Sequence, residues 1–273
     1  MIRLASLGSG SRGNGTLVQF DSELFLVDCG FSLKQTEARL ARLDIRPGDL
    51  SAVLVTHEHS DHIAGVAALA HKYALPVHAT YGTLNSKAAL KGSLVGHVLD
   101  AHEPVQVGDV SVIPVVVPHD AREPVQFVFQ TGERRIGVIS DLGHVTPHVI
   151  EHYQSLDLLL MESNHDPQML MRGRYPESVK QRIVGRFGHL SNEQAAAFLA
   201  AVAHPQLRVV VGHVSEENNH PDLLEESFAS FDNAVGHLCF ATQDEGADWL
   251  SAIDTDKPSD SAQQPAGSYA AGI

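Results

Sequence analysis

Three histidines and one aspartate fall within six residues of this chain, directly after a short apolar segment. The segment 51–56 reads SAVLVT, which is typical of a buried strand, and His57, His59, Asp61 and His62 follow it. Side chains alternate along an extended chain, so His57 and His59 face the same side and can bind one ion. Asp61 and His62 fall on the turn into the next helix, directed at a second ion. This spacing predicts a metal centre at a strand-to-helix junction.

The overall composition narrows the class of protein. Nineteen basic residues against 33 acidic ones give the 273-residue chain a net charge of −14, which argues against a general polyanion-coating protein. Its 17 histidines are nearly as many as its lysines and arginines together, and histidine is the commonest metal ligand. The sequence shows neither a bilayer-length apolar run nor a signal peptide, because glycines and serines interrupt its N-terminal region. We therefore expect a cytoplasmic protein without membrane association.

The order of elements predicts the architecture. Hairpins mixed with strand–helix units occur in two similar halves, a pattern that favours two sheets packed face to face with helices outside. We expect one domain over residues 1–253. Residues 254–273 are mostly Ser, Asp, Pro, Gln, Ala and Gly, and we expect them to form a disordered C-terminal tail.

Several motifs agree in order with those of a known family. The HxHxDH segment after an apolar strand is the signature of the metallo-β-lactamase superfamily. Asp28, His119, Asp141 and His213 each end an apolar segment, in the order in which that superfamily places its remaining functional residues. The chain resembles one branch of this superfamily, the YycJ/WalJ group, in the segments LGSGSRGN, LVTHEHSDHI, ESNHDPQML and GHLSNEQAA. The resemblance covers about residues 1–250. It implies an α/β (α+β) fold, a four-layer αββα sandwich.

The resemblance also implies a set of metal ligands. Metal one would be held by His57, His59 and His119, and metal two by Asp61, His62 and His213, with Asp141 bridging. Two dications about 3.5 to 4 Å apart can hold a bridging hydroxide as nucleophile. We expect Asp61 to be a catalytic residue as well as a ligand. Ligands of nitrogen and oxygen suit Zn²⁺ or Mn²⁺, and the absence of a cysteine ligand leaves the choice between them open. Asp28 matches a supporting aspartate that orients a ligand histidine.

Two further residues resemble a pair found in nucleases of this superfamily. Glu162 and His189 lie between the fourth and fifth motifs, as the corresponding Glu and His do in the tRNA 3′-processing enzymes. An alkoxide leaving group needs a proton, and a histidine held by a carboxylate can donate one near neutral pH. We expect His189 to be the leaving-group acid, with Glu162 as its partner.

Positive charge is concentrated in one segment of the second half. Between residues 172 and 186 there are five basic residues and one acid, a net +4 in 15 residues of an acidic chain. Arginine grips phosphate through a planar bidentate fork, so we expect substrate contacts here; the predicted set is Arg172, Arg174, Lys180, Arg182 and, further along, Asn218. The glycine-rich loop 9–15 could cradle an anion, but it lacks the spacing of a nucleotide-binding motif.

These observations leave several functions to weigh. The resemblance implies a 5′-to-3′ exonuclease that acts on double-stranded DNA in DNA repair. An RNA-processing nuclease or a small phosphodiester hydrolase of the same fold is the alternative. A thioester or lactam hydrolase is less favoured, because it needs neither a leaving-group acid nor a basic segment. A metal-binding module without enzymatic activity is also disfavoured, because a structural metal site closes its coordination and keeps no open position. The sequence leaves open DNA against RNA, polarity, metal identity and oligomeric state.

Overall fold

The computed structural model describes residues 1–86 and 96–253. The predicted tail, residues 254–273, lies outside the described residues, as do residues 87–95. The described strands, in chain order, are β1 (Ile2–Gly8), β2 (Gly15–Phe20), β3 (Glu23–Val27), β4 (Ala52–Leu54), β5 (Val77–Thr80), β6 (Gly96–Leu99), β7 (Val105–Val107), β8 (Val110–Val116), β9 (Val125–Thr131), β10 (Arg134–Ile139), β11 (Leu158–Glu162), β12 (Arg208–Gly212), β13 (His237–Phe240) and β14 (Ala247–Ser251).

Helices connect many of these strands. The described α-helices are α1 (Leu33–Arg42), α2 (Ser60–Ile63), α3 (Val66–Tyr73), α4 (Tyr81–Leu84), α5 (Pro147–His152), α6 (Pro167–Arg172), α7 (Glu177–Ile183), α8 (Asn192–Val202) and α9 (Pro221–Phe228). None of these described helices is long and apolar enough to cross a membrane.

The strands form two sheets of seven. The first has the order β14-β1-β2-β3-β4-β5-β6 and the second β13-β12-β11-β10-β9-β8-β7. Alternation along each strand divides its side chains between two cores. In β3, Phe25 packs between the sheets while Leu26 faces the helices outside the first sheet. In β11, Leu160 packs between the sheets and Met161 faces the helices outside the second. The predicted sandwich of two sheets with outer helices is confirmed.

Parallel pairing determines where the polar strand ends lie. In the first sheet β3, β4, β5 and β6 are parallel neighbours, and in the second sheet β10, β11, β12 and β13 are. Parallel neighbours bring their carboxyl ends to the same edge of a sheet. The residues that follow β3, β4, β10, β11 and β12 therefore meet at one end of the sandwich, where the candidate site is formed.

Candidate metal centre and active site

The first histidine cluster joins both sheets. His57 and His59 follow β4, and His119 follows β8. His59 Nδ1 lies 3.0 Å from His57 Nε2 and 3.2 Å from His119 Nε2. His57 and His119 are buried, while His59 is half-buried. The structure brings together the three residues expected to hold metal one.

Hydrogen bonds assign the protons of two of these rings. The Thr56 hydroxyl donates to Asp28 Oδ2 at 2.8 Å, so it can only accept at its contact of 2.9 Å with His57 Nδ1. His119 Nδ1 donates to the carbonyl of Gly188 at 3.1 Å. In both neutral rings, Nε2 is left with a lone pair directed at the third histidine. His59 Nδ1 can donate at most one proton, so at least one of these two contacts brings lone pairs together, and a cation between them would relieve the repulsion. This donor set therefore fits a metal ion.

The second cluster surrounds a buried histidine. His62 Nε2 lies 3.0 Å from Asp141 Oδ2 and 3.4 Å from Asp61 Oδ2. His213 Nε2 lies 3.7 Å from Asp61 Oδ2, and its Nδ1 lies 3.5 Å from Asp141 Oδ2. The other oxygen of Asp141 is 3.7 Å from His119 Nε2, in the first cluster. Asp141 thus lies between the two groups, the position expected of a bridging ligand.

Charge in the second cluster also fits cations. Burial acts to lower the pKa of His62, but the charges of Asp141, Asp61 and Asp28 outweigh it and raise that pKa well above its usual value. Burial likewise opposes protonation of His213, whereas Asp141 and the hydrogen bond to Asp61 raise its pKa to about 10. Protons on these rings balance the carboxylates in the metal-free chain. Divalent ions can replace them, because metal binding releases protons from its ligands.

Asp28 holds the first sheet's side of the site together. Its Oδ2 lies 2.8 Å from His62 Nδ1, and its Oδ1 accepts from the backbone N–H of Thr56 at 2.9 Å. It is 3% exposed and directs the opposite nitrogen of His62 at the carboxylates. This geometry supports the predicted role of orienting a ligand histidine.

Three of these residues have unusual backbone conformations. Asp28, Asp141 and His213 follow β3, β10 and β12 with φ of 61°, 50° and 50°. Left-handed backbone is uncommon for residues other than glycine, and such strain concentrates at functional sites. After each of these strands the side chain contacts the ligand clusters at the end of the sandwich.

Glu162 and His189 form the predicted pair. His189 Nδ1 lies 3.1 Å from Glu162 Oε2, and Glu162 Oε1 accepts from the backbone N–H of Leu142 and Leu190. Burial alone would raise the pKa of Glu162, but hydrogen bonds from His189 and His213 lower it to about 2. The carboxylate is buried, while the imidazole of His189 is 20% exposed. Glu162 therefore holds one nitrogen of His189 and leaves the ring at the edge of the site.

Buried asparagines, which the sequence analysis did not assign to the site, connect its loops. Asn14 Nδ2 lies 3.3 Å from both Asp61 Oδ2 and His62 Nε2. Asn164 donates to the carbonyl of His213 at 3.0 Å, and its N–H donates to the carbonyl of Leu190. Asn14 and Asn164 both lie within motifs that resemble those of the YycJ/WalJ group, and this position in the sequence could have identified them as site residues.

The glycine-rich loop 9–15 does not present its amides to an anion. The N–H of Gly10 donates to Asn14 Oδ1, that of Arg12 to Gln243 Oε1 and that of Asn14 to the carbonyl of Asp61. The anion cradle considered from the sequence is therefore not supported, because these donors already have partners within the loop, on Gln243 and on Asp61.

The arginines of the basic segment reach the surface beside the site. Arg172 is exposed and has no acidic partner among the described residues. Arg174 pairs with Glu217 at 3.2 Å in an exposed contact. Arg182 pairs with Asp120, whose own carboxylate lies 3.5 Å from His119 Nε2. All three guanidinium groups are at or near the surface, as a phosphate contact requires.

Two predicted substrate contacts are not placed for that role. Lys180 is only 9% exposed, and its ammonium donates to the carbonyl of Met171 at 2.8 Å. Asn218 is 2% exposed, and its amide donates to Ser215 Oγ. Both predictions need correction, because an aliphatic stem packed inward and a buried amide fasten the loops and do not face a ligand.

Comparisons with known proteins agree with this geometry. The family model of the Beta-lactamase superfamily domain matches residues 24–214. Exodeoxyribonuclease YycJ of Bacillus anthracis is 37% identical over 230 residues, covering 83% of this chain and 87% of that protein. Exodeoxyribonuclease WalJ of Streptococcus pneumoniae (strain D39 / NCTC 7466) is 36% identical over 240 residues, covering 84% and 89%.

Solved structures support the fold. The metallo-beta-lactamase fold protein YhfI from Bacillus subtilis aligns with a TM-score of 0.69 over 92% of this chain and all of that one. Its sequence identity is 16%, so this likeness concerns the fold alone.

Proposed function

This chain belongs to the beta-lactamase superfamily, and from that premise and the site's geometry we propose a two-metal phosphodiesterase, a 5′-to-3′ exonuclease on double-stranded DNA. The family and the similarity to exodeoxyribonucleases support a metal-dependent hydrolase that acts on nucleic acid. The observation that carries the choice of reaction is the Glu162–His189 pair, 3.1 Å apart beside the two ligand clusters.

The ligand clusters would hold two ions, for which we propose Zn²⁺ or Mn²⁺. His57, His59 and His119 would hold one, and Asp61, His62 and His213 the other, with Asp141 reaching both. When bound, such ions supply Lewis acidity and an activated water. The chain's own contribution is to fix the ligands before substrate arrives: Asp28, Thr56 and Gly188 each hold the far nitrogen of a histidine.

His189 would supply the proton that the leaving oxygen needs. Glu162 accepts from Nδ1 and stabilises the imidazolium, leaving the Nε2 proton for the departing oxygen. General-acid catalysis of this kind contributes roughly 10²- to 10⁴-fold. Hydrolysis of a thioester does not need this aid, because a thiolate leaves readily.

The charge of the surface supports a nucleic-acid substrate. The segment 172–186 carries its net +4 next to His189, in a chain of net charge −14. Because the negative remainder repels polyanions, a DNA strand would be drawn to this segment. We propose that Arg172, Arg174 and Arg182 contact backbone phosphates.

The test uses purified chain loaded with Zn²⁺ or Mn²⁺. Its substrates are duplex and single-stranded DNA labelled at either end, labelled RNA, bis(p-nitrophenyl) phosphate and a thioester. We expect mononucleotides released from the 5′ end of duplex DNA. Release from the 3′ end would overturn the polarity, and preference for RNA would overturn the substrate. Hydrolysis of the thioester alone would overturn the proposal.

A variant separates the proposed acid from the metal site. His189→Ala should slow DNA cleavage by about 10² or more while sparing bis(p-nitrophenyl) phosphate, whose leaving group needs no proton. His144→Ala is the matched control, because His144 is half-buried and hydrogen-bonds the carbonyl of Arg186 outside the ligand clusters. Loss of a metal ion from His189→Ala would instead make His189 a ligand.

A further inference from the structure

Exposed apolar side chains concentrate in the same segment as the arginines. Among the described residues nine large hydrophobic side chains are exposed, and four of them fall between residues 171 and 187. These are Met171, Val179, Val184 and Phe187, with exposures of 51%, 37%, 46% and 59%. Single exposed apolar residues need no explanation, but a cluster indicates a surface that contacts something.

The loop that carries Phe187 is fixed to the site. The N–H of Asp120 donates to the carbonyl of Phe187 at 3.0 Å, and the carbonyl of Gly188 accepts from His119 Nδ1. His189 N–H closes the loop by donating to the carbonyl of Ile183 at 2.9 Å. The surface therefore has a defined position relative to the candidate metal ligands.

A small cavity opens between this segment and His189. Its volume is about 170 Å³. Its lining includes the less polar side chains of Tyr175, Val179 and Ile183 and the polar residues Asn164 and Ser215. Sites for drug-sized ligands occupy roughly 300 to 1,000 Å³, so this one suits a single planar ring system. His189, Arg182 and Asp120 also line it.

We infer that this cavity is the subsite for one nucleobase, held on the leaving-oxygen side of the cleaved bond and stacked against Tyr175. This inference rests on the proposed function. An aromatic ring, hydrogen-bonding groups and a neighbouring cation are the features with which proteins bind the bases of a single strand. His189, the proposed acid for the leaving oxygen, lines the same cavity, so the nucleoside that carries this oxygen is the one placed there.

The arginines and the cavity divide the work of binding. Arg172 and Arg174 would contact phosphates, which carry no information about the base. Tyr175 would contact the base without selecting among the four, because every base has a face that stacks. The terminal nucleotide would leave its duplex partner to enter the cavity, which matches an enzyme that starts at an end.

The experiment pairs removal of the base with removal of the ring. Duplexes carry one abasic residue on either side of the first cleaved bond, and the fragment that retains the phosphate identifies the leaving-oxygen side. In the parent protein, an abasic residue on that side should raise KM by about 10- to 100-fold, and on the other side much less. In Tyr175→Ala this penalty should vanish. Tyr175→Phe should restore it.

Controls keep the outcomes distinct. Tyr73→Ala removes a tyrosine bound to Glu37, away from the cavity, and should leave the penalty unchanged. Equal abasic penalties in the parent and Tyr175→Ala, with DNA still cleaved, would overturn the inference and leave the proposed function standing. Hydrolysis of bis(p-nitrophenyl) phosphate without cleavage of any nucleic acid would overturn both.

Discussion

Replacing Glu162 by glutamine exchanges a carboxylate oxygen for an amide N–H₂ and should reverse the direction of the hydrogen bonds to two histidines. Glu162 Oε1 accepts from the N–H groups of Leu142 and Leu190 at 2.7 and 3.1 Å. Oε2 lies 3.1 Å from His189 Nδ1 and 3.4 Å from His213 Nδ1. Glutamine can satisfy the two backbone donors only with its oxygen, so its amide N–H₂ must face both imidazoles. Their Nδ1 atoms would then accept, and a neutral His189 has no readily donated proton.

The expected magnitudes follow from these contacts. Loss of general-acid catalysis should lower kcat on DNA by about 10²-fold or more, roughly 3 kcal/mol or above in the barrier. The gap between the ordinary pKa of 4.5 and the folded value of about 2 corresponds to about 3 kcal/mol of unfolding free energy. Because the folded pKa is lowered, this stability is present above pH 4.5 and is lost as the pH falls toward 2.

The assay combines kinetics with denaturation. The kcat values on DNA and on bis(p-nitrophenyl) phosphate are measured at saturating metal, and urea unfolding is followed without metal at several pH values. Glu37→Gln is the matched control, since Glu37 pairs at the surface with Lys72 and Tyr73. Equal losses on both substrates with metal retained would refute the role of Glu162 in proton transfer. Unchanged urea stability near neutral pH would refute the stabilising network.

Three further outcomes are expected. Equilibrium dialysis should find two ions per chain, and one ion at saturation with full activity would contradict this. Metal affinity should fall as the pH falls, because protons compete for His62 and His213, whose pKa values are raised. Arg172→Ala with Arg174→Ala should reduce the slope of log affinity for DNA against log salt by up to about 1.8, and an unchanged slope would exclude both from phosphate contact. Lys180→Met should lower the unfolding midpoint and leave KM for DNA unchanged, because its ammonium serves the carbonyl of Met171; a higher KM in the folded variant would return it to the substrate.

The sequence predicts which of the proposed ligand residues lie close together, because most of them directly follow apolar strands. Alternation places His57 and His59 on one side of an extended segment, and parallel pairing carries the ends of β10 and β12 to the same edge. The layers follow from apolar runs that alternate between two cores. The two-sheet sandwich and its family were both predictable for this reason.

Side-chain direction on the α6–α7 segment was not predictable in this way. Lys180 and Arg182 are two residues apart in the same basic run, yet one points inward to a carbonyl and the other outward to Asp120. Asn218 is similarly consumed by a loop contact. Charge counts describe a segment, whereas the packing of the neighbouring loops decides which charge meets solvent.

The left-handed backbone at Asp28, Asp141 and His213 lowers conformational stability at positions whose side chains the site needs. For a residue with a β-carbon such a conformation costs up to about 1 to 2 kcal/mol, and glycine would relieve it. Glycine would also remove the carboxylate or imidazole that the turn exists to aim. Selection of random variants for heat resistance alone can therefore enrich inactive variants that carry glycine at these three positions. Engineering of this protein for higher stability has to keep these three residues unchanged.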